Sequence, residues 1–127
     1  MTAVEWGHGK RAKVLSDYTF AVADGERLVN VGKAYSGLTD KEIAEMTQWF
    51  LEHTAEDHGF WREVEPKIVI EVAFNAVMES DRHNSGYALR FPRIVRLRPD
   101  KLPGEIDTLE RVREIFEKQK LAYPNAV

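Results

Sequence analysis

The sequence predicts a mainly β domain, a small mixed barrel with two helices. Apolar and polar residues alternate in the stretches 68–76 and 88–101, as they do in strands that bury one face. An Asp-Gly dipeptide at 24–25, favoured in two-residue hairpin turns, separates two further β-rich runs. Thr39 and Glu42 have the spacing of a capping box, which predicts that a helix interrupts the strands.

The first 35 residues are interpreted as a β-meander. Strands are predicted at 3–6, 18–23 and 28–35, and the Asp-Gly turn joins the last two. A Gly-His-Gly sequence at 7–9 follows the first strand. It is compatible with a phosphate-cradling loop, although no helix follows it, and equally with a hairpin whose glycines adopt positive φ.

A helix is predicted from its N-cap at Thr39 to about His53. Its apolar stripe recurs at helical spacing and is expected to pack on the sheet as core: Ile43, Met46, Trp49 and Phe50. A second helix is predicted to begin at Asp107 or Thr108 and to reach about Lys120. Its buried stripe is predicted to be Leu109, Val112 and Phe116.

Two long strands are predicted between the helices, after a short one at 60–64. The first is 67–77, with one face toward the barrel interior: Ile68, Ile70, Val72, Phe74 and Ala76. A polar loop at 79–86 leads into the second, which lies within 88–101 and ends at Pro99.

The stretch 88–101 reads ALRFPRIVRLRPDK and is strongly basic. By parity one face is apolar, with Leu89, Phe91, Val95 and Leu97, and the other carries Arg90, Arg96 and Arg98. Arg93 falls on the apolar side, but Pro92 predicts a bulge or sheet edge that turns it outward. Guanidinium groups on a rigid strand can bind phosphates bidentately. A solvated basic face is the alternative interpretation.

Composition fits one globular domain spanning 1–127, since 43% of the 127 residues are hydrophobic. The absence of cysteine excludes disulfides, and the four histidines share no short metal-binding spacing, so no metal site is predicted. No apolar run approaches the roughly 20 residues of a membrane span. A cytoplasmic protein is expected, since the lack of cysteine fits a reducing compartment. The net charge of −3 argues against a general nucleic-acid binder, but 90–101 carries a local charge of +4.

The sequence RFPR at 90–93 with RPDK at 98–101 resembles the C-terminal motif of ATP-dependent DNA ligases. Other segments follow in that family's order: GHGKR at 7–11, YTFAV at 18–22, VGKAYSGLTDKEI at 31–43, EVAF at 71–74 and SDRHNSG at 80–86. The resemblance implies an OB-fold five-stranded barrel with one helix between strands and a C-terminal helix. It also implies the C-terminal domain of a bacterial-type ligase that seals nicks in duplex DNA.

The resemblance implies two sets of site residues. One set would orient the β and γ phosphates of ATP during adenylation of the enzyme's lysine: Arg90, Arg98, Asp100 and Lys101. The other would contact DNA backbone phosphates without reading sequence: Lys10, Arg11, Lys33, Arg82, Arg93 and Arg96. ATP and Mg²⁺ would serve the full-length enzyme, with neither expected on the isolated domain. The implied partners are nicked duplex DNA and an adenylation domain of the same polypeptide.

The family's nucleophile, the lysine of a Lys-x-Asp-Gly motif, is absent from this sequence. Its Asp-Gly is at 24–25, and Val22 stands where the lysine would be, so this chain alone is predicted to be inactive. A free-standing, non-catalytic OB module that binds nucleic acid is the main alternative. The apolar parity of Tyr87 and Phe91 speaks against stacking on single strands. The OB domain of an RNA ligase or capping enzyme is a third possibility, although the full motif favours DNA ligase.

Overall fold

A computed structural model describes residues 1–122, so the last five residues of the predicted domain lie outside the described part. The strands in this part are β1 Ala3–Trp6, β2 Leu15–Asp24, β3 Arg27–Ala34, β4 Thr54–Asp57, β5 Trp61–Val64, β6 Ile70–Ala73, β7 Ala76–Glu79, β8 Tyr87–Arg90 and β9 Arg93–Leu97. The helices are α1 Asp40–Glu52 and α2 Leu109–Ala122, with short 3-10 turns at Gly9–Arg11 and Pro103–Glu105. A mainly β chain with one helix between strands and one at the C-terminal end was predicted, and this is confirmed.

Five strands form one antiparallel sheet in the order β3-β2-β1-β5-β4. The predicted meander of β1, β2 and β3 is confirmed, and β2 turns into β3 at Asp24-Gly25, where Gly25 has a φ of 63°. The edge strand β4 was not predicted. It follows α1 after a single residue and is almost entirely exposed. Its sequence TAED therefore lacks the alternation of apolar and polar residues from which a strand is predicted.

The predicted long strands at 67–77 and within 88–101 are both interrupted, and in that respect the prediction was wrong. β6 pairs with β9 and β7 pairs with β8, forming two short ladders instead of one long hairpin. The second predicted strand is broken at Phe91-Pro92, between β8 and β9, because proline lacks an N–H and Phe91 adopts a φ of +53°. Phe91 was expected in the core but is 62% exposed.

A β-bulge in β9 corrects a second prediction. Glu71 pairs with Arg96 and the next residue of β6 pairs with Ile94, so Val95 is the extra residue. Val95 was predicted to face the core and is 49% exposed, whereas Ile94 is buried. Beyond the bulge the predicted alternation resumes, with Leu97 packed against the core.

The helix α1 begins as predicted at a capping box. Glu42 N–H donates to Thr39 Oγ1 at 3.2 Å, and Thr39 N–H donates to Glu42 Oε1 at 3.0 Å. The predicted stripe packs on the sheet: Ile43 and Phe50 are buried, and Met46 and Trp49 pack against them. Thr47 also faces inward, and its hydroxyl oxygen accepts the Leu15 N–H at 3.0 Å, which fixes α1 against β2.

The helix α2 is capped by Thr108, whose Oγ1 accepts the Arg111 N–H at 3.2 Å. Its inward stripe is the predicted one: Leu109 and Val112 are buried, and Phe116 packs against the core. The Gln119 amide bonds to both Val77 N–H, at 2.7 Å, and Val77 C=O, at 2.9 Å, so it takes the place of a strand neighbour for β7. Within residues 1–122, neither helix is long and apolar enough to cross a membrane.

Candidate phosphate-binding strip and basic loops

The basic strip consists of Arg90 at the end of β8, Arg93 and Arg96 in β9, and Arg98 and Lys101 just after β9. Two of its guanidinium groups share one carboxylate from β6. Arg96 Nη2 lies 3.0 Å from Glu71 Oε1, and Arg98 Nη1 lies 3.4 Å from the same oxygen. Glu71 therefore holds the two side chains next to each other. It was not predicted as a site residue, although its polar position between apolar neighbours on a strand that faces the arginines was a usable signal.

Arg98 and Asp100 form a two-pronged ion pair. Arg98 Nε donates to Asp100 Oδ1 at 3.0 Å, and Arg98 Nη2 donates to Asp100 Oδ2 at 2.8 Å. These hydrogen bonds lower the pKa of the Asp100 carboxyl to about 2. The same pair raises the pKa of Arg98. With Glu71 on its remaining side, the Arg98 guanidinium is fixed in one plane.

We expect a carboxyl-detected NMR titration to give Asp100 a midpoint of about 2, and Arg98→Gln to return it toward the ordinary value near 3.8. Because the folded-state pKa is the lower one, the pair's contribution to stability is complete above pH 4 and is lost as pH falls through about 2. Arg27→Gln, which removes a different exposed pair with Asp24, is the matched control and should leave Asp100 unchanged. A midpoint near 3.8 in the unmodified chain would contradict this structure of the strip.

Lys101 continues the strip in a tight turn, where its N–H donates to Arg98 C=O at 3.1 Å. Its ammonium lies 3.7 Å from Glu105 Oε2, a looser pairing than that of Arg98. Arg98 and Lys101 both line a cleft of about 400 Å³, together with Arg111 and with apolar side chains such as Phe20 and Val72. Two of the three predicted phosphate-orienting cations thus line one cleft.

Arg90 and Arg93 flank the break in the strand. The Arg90 guanidinium lies 5.0 Å from the centre of the Phe91 ring. Arg93 Nη1 donates to Asn75 Oδ1 and to Phe91 C=O, both at 3.3 Å. Arg93 points outward, as was predicted from the neighbouring Pro92. Its partners are neutral, so its positive charge is not compensated by them.

A second basic group lies at the 80–86 loop. Asn84 Oδ1 accepts the Asn30 N–H at 2.8 Å, which ties this loop to β3. The pKa of His83 is lowered by burial first, and then by the charges of Arg82 and Lys33. The structure therefore brings Arg82 and Lys33 near one histidine that the sequence had not indicated. Lys33 also pairs with Glu5 at 2.9 Å.

Lys10 and Arg11 lie in the 3-10 turn that follows β1. Lys10 is exposed, and Arg11 makes long contacts of 3.5 Å to Asp40 Oδ1 and to Tyr35 C=O. Among the residues from 1 to 122, no hydrogen bond or ion pair connects this turn to the basic strip. The turn is instead linked to β9 through the segment between β3 and α1, since Arg11 Nη1 donates to Tyr35 C=O and the neighbouring Ser36 C=O accepts the Ile94 N–H.

Fold and site together define a small β domain that presents an arginine-rich strand suited to phosphate. A protein-family model described as the ATP dependent DNA ligase C terminal region matches residues 11–101 of the sequence. The chain belongs to this family. It is 75% identical over 119 residues to a probable DNA ligase of Koribacter versatilis, covering 94% of this chain and 21% of that protein. It is 48% identical over 122 residues to DNA ligase 1 of Korarchaeum cryptofilum, covering 94% of this chain and 22% of that protein.

The chain thus spans about a fifth of the length of these relatives. Among solved structures, the ligase domain of Mycobacterium tuberculosis LigD is similar with a TM-score of 0.63 and 20% identity. That match covers 83% of this chain and 37% of the LigD ligase domain chain. At this identity it shows the fold, and it agrees with the predicted OB-type barrel.

Proposed function

We propose that residues 1–127 form the C-terminal OB domain of a longer, cytoplasmic ATP-dependent DNA ligase that seals nicks in duplex DNA. In this proposal the domain orients the β and γ phosphates of ATP while a lysine in a separate adenylation domain is adenylated. It then clamps nicked DNA. The observation that carries the proposal is the Arg98–Asp100 pair beside Lys101, at the end of the segment that matches the family.

The hydrogen bonds that hold Arg98 to Asp100 and Glu71 suit its guanidinium to orient phosphate oxygens. A guanidinium has five N–H groups, and three of those on Arg98 are directed at Asp100 and Glu71. One N–H on Nη1 and one on Nη2 remain for a ligand, in a plane that the carboxylates fix. Together with the ammonium of Lys101, they would stabilise charge on departing pyrophosphate. We assign Arg90 to the same role from the opposite side of the strand break.

The strip fits the phosphates of ATP better than it fits a metal ion. Both oxygens of Asp100 are bound by Arg98, and Glu71 Oε1 is shared between two guanidinium groups, so the charges of both carboxylates are already paired with arginine. Mg²⁺ would neutralise phosphate charge in the full-length enzyme. We place its protein ligands in the adenylation domain.

The remaining cations are assigned to DNA backbone phosphates. They are Arg93 and Arg96 on β9, Lys33 and Arg82 near the 80–86 loop, and Lys10 and Arg11 in the first turn. Of these, Arg93 has the strongest case because its hydrogen-bond partners are neutral. Contacts of this kind position a duplex and do not select its sequence.

We expect this chain to bind duplex DNA with an affinity that falls steeply as salt rises and does not depend on sequence. Removing one phosphate-binding side chain, as in Arg93→Ala, should reduce the slope of log affinity against log salt by about 0.9. Fluorescence anisotropy with two unrelated duplexes across a KCl series measures both properties. Arg27→Ala, an exposed arginine outside the proposed sets, is the control and should leave the slope unchanged. Salt-insensitive or sequence-specific binding would exclude the clamp.

The phosphate-orienting role is tested separately, by comparing lysine adenylation with the sealing of a pre-adenylated nick in a full-length ligase that carries this domain. Loss of adenylation alone in an Arg98 or Lys101 variant supports the role. An equal loss of rate in adenylation and in sealing would exclude the phosphate-orienting role.

A further inference from the structure

The β4–β5 hairpin places three potential metal ligands on one exposed face of the five-stranded sheet. Glu56 and Glu63 are directly opposite each other in the ladder, and His58 follows Glu56 by two residues, so all three share a face. Asp57 and Arg62 have the opposite parity and pair with each other at 3.1 Å. The neighbouring cation is therefore turned away from the two glutamates.

Two carboxylates that face each other across strands repel, and the structure provides a single group between them. Directly opposed like charges destabilise a sheet. His58 Nε2 lies 3.7 Å from Glu56 Oε2 and 3.5 Å from Glu63 Oε1. In the part of the chain that the structure describes, no lysine or arginine forms an ion pair with either glutamate. An imidazole nitrogen and two carboxylate oxygens thus converge on one small volume.

The histidine is held in place by its surroundings. Its ring stacks on Trp61 with centroids 4.0 Å apart and an interplanar angle of 12°. The hairpin tip is closed by a bond from His58 N–H to Trp61 C=O at 2.9 Å, and by one from Gly59 N–H to Asp57 Oδ1 at 2.8 Å. The direction of Nε2 is therefore set by the fold.

We propose that Glu56, His58 and Glu63 bind one divalent transition-metal ion, Zn²⁺, with water completing the coordination. Zinc binds imidazole nitrogen and carboxylate oxygen at roughly 2.0–2.2 Å, which in a tetrahedron puts neighbouring ligand atoms about 3.4 Å apart. The two distances from Nε2 are close to this value, and all three ligand atoms lie within 4.8 Å of one another. The ion converts a repulsive pair into a clip that holds the edge strand β4 to the sheet.

The proposal is independent of the ligase assignment and departs from the expectation that no metal site exists. That expectation came from the spacing of histidines along the chain. The ligands instead come from two strands, one of which was not predicted, and the set contains a single histidine.

The test is a titration of the EDTA-treated chain with ZnCl₂ alone, followed by calorimetry and by thermal unfolding. We expect one Zn²⁺ per chain and a melting temperature that rises by a few degrees. Co²⁺ should bind at the same site and give visible absorption bands. Removing the ligand by His58→Ala should lower Zn²⁺ affinity by at least about tenfold.

Two further variants make the result decisive. Glu63→Gln keeps the size of the side chain but removes its charge, so it should also lose Zn²⁺ affinity even if His58→Ala folds poorly. His8→Ala removes an exposed histidine outside the cluster and should bind as the unmodified chain does. The proposal is overturned if Zn²⁺ produces no binding heat. Unchanged binding in both ligand variants, or its loss in His8→Ala, also overturns it.

Discussion

In a full-length ligase carrying this domain, Arg98→Ala is expected to slow lysine adenylation by about a hundredfold or more. Sealing of a pre-adenylated nick should change only a few-fold. The reason is that Arg98 would contact the β and γ phosphates, which are present in the first step and have left before the last. Removing the guanidinium also leaves Asp100 without its partner, placing an uncompensated negative charge where the phosphates would bind.

Two comparisons separate phosphate orientation from general damage to the domain. Arg98→Lys keeps the charge but cannot make the two-pronged contact with Asp100, so adenylation should remain well below that of the unmodified enzyme. Arg111→Ala removes a cation from the border of the same cleft, outside the motif, and should leave both steps nearly unchanged. Single-turnover assays of enzyme–AMP formation and of nick sealing give the two rates.

An equal decrease in both rates for Arg98→Ala would show that the residue supports the domain as a whole. Lys101→Ala is expected to behave like Arg98→Ala because both residues belong to the RPDK motif and are held together by the turn in which Lys101 N–H donates to Arg98 C=O. A Lys101 variant that seals poorly but adenylates normally would move that lysine to the DNA-binding set.

Features governed by neighbouring residues were predictable from sequence. The capping box of α1 involves residues three apart, and the Asp24-Gly25 turn needs only a positive φ at its glycine. The bulge at Val95 was not predictable in the same way. It is set by how β6 pairs with β9, and the parity of β9 alone placed Val95 in the core. The broken ladder at Phe91 was only partly signalled, by the proline beside it.

The candidate sites also divide into features set by neighbouring residues, which were predicted, and features set by strand pairing, which were not. Arg98, Asp100 and Lys101 are adjacent in sequence and match a family motif, so their proximity was expected. Glu71 comes to the strip only through strand pairing, and Glu56 meets Glu63 only through a hairpin whose first strand has no apolar pattern. Carboxylates that organise these sites were missed because their partners are distant in sequence or on an unpredicted strand.

Gly37→Ala is expected to destabilise the domain by more than about 3 kcal/mol. Gly37 lies between β3 and α1, where it has a φ of 115°, a conformation that side chains disfavour. Its segment crosses close to β9, and Ser36 C=O accepts the Ile94 N–H at 3.0 Å. A Cβ atom at residue 37 would overlap the carbonyl of Ile94. The position of the new Cβ is fixed by the backbone of residue 37, and the atom it meets is a backbone carbonyl oxygen, so a rotamer change cannot relieve the overlap.

Urea unfolding of the variant checks this expectation, with Gly104→Ala as the matched control. Gly104 has open space around its Cβ position and no positive φ, so its replacement should change the free energy of unfolding by less than about 0.5 kcal/mol. Because Ile94 lies between Arg93 and Arg96 on β9, any Gly37→Ala protein that does fold must displace the strand that carries the basic strip. Its duplex affinity should then fall together with its stability. A variant with an unchanged urea midpoint would show that the loop and β9 are not in this close contact.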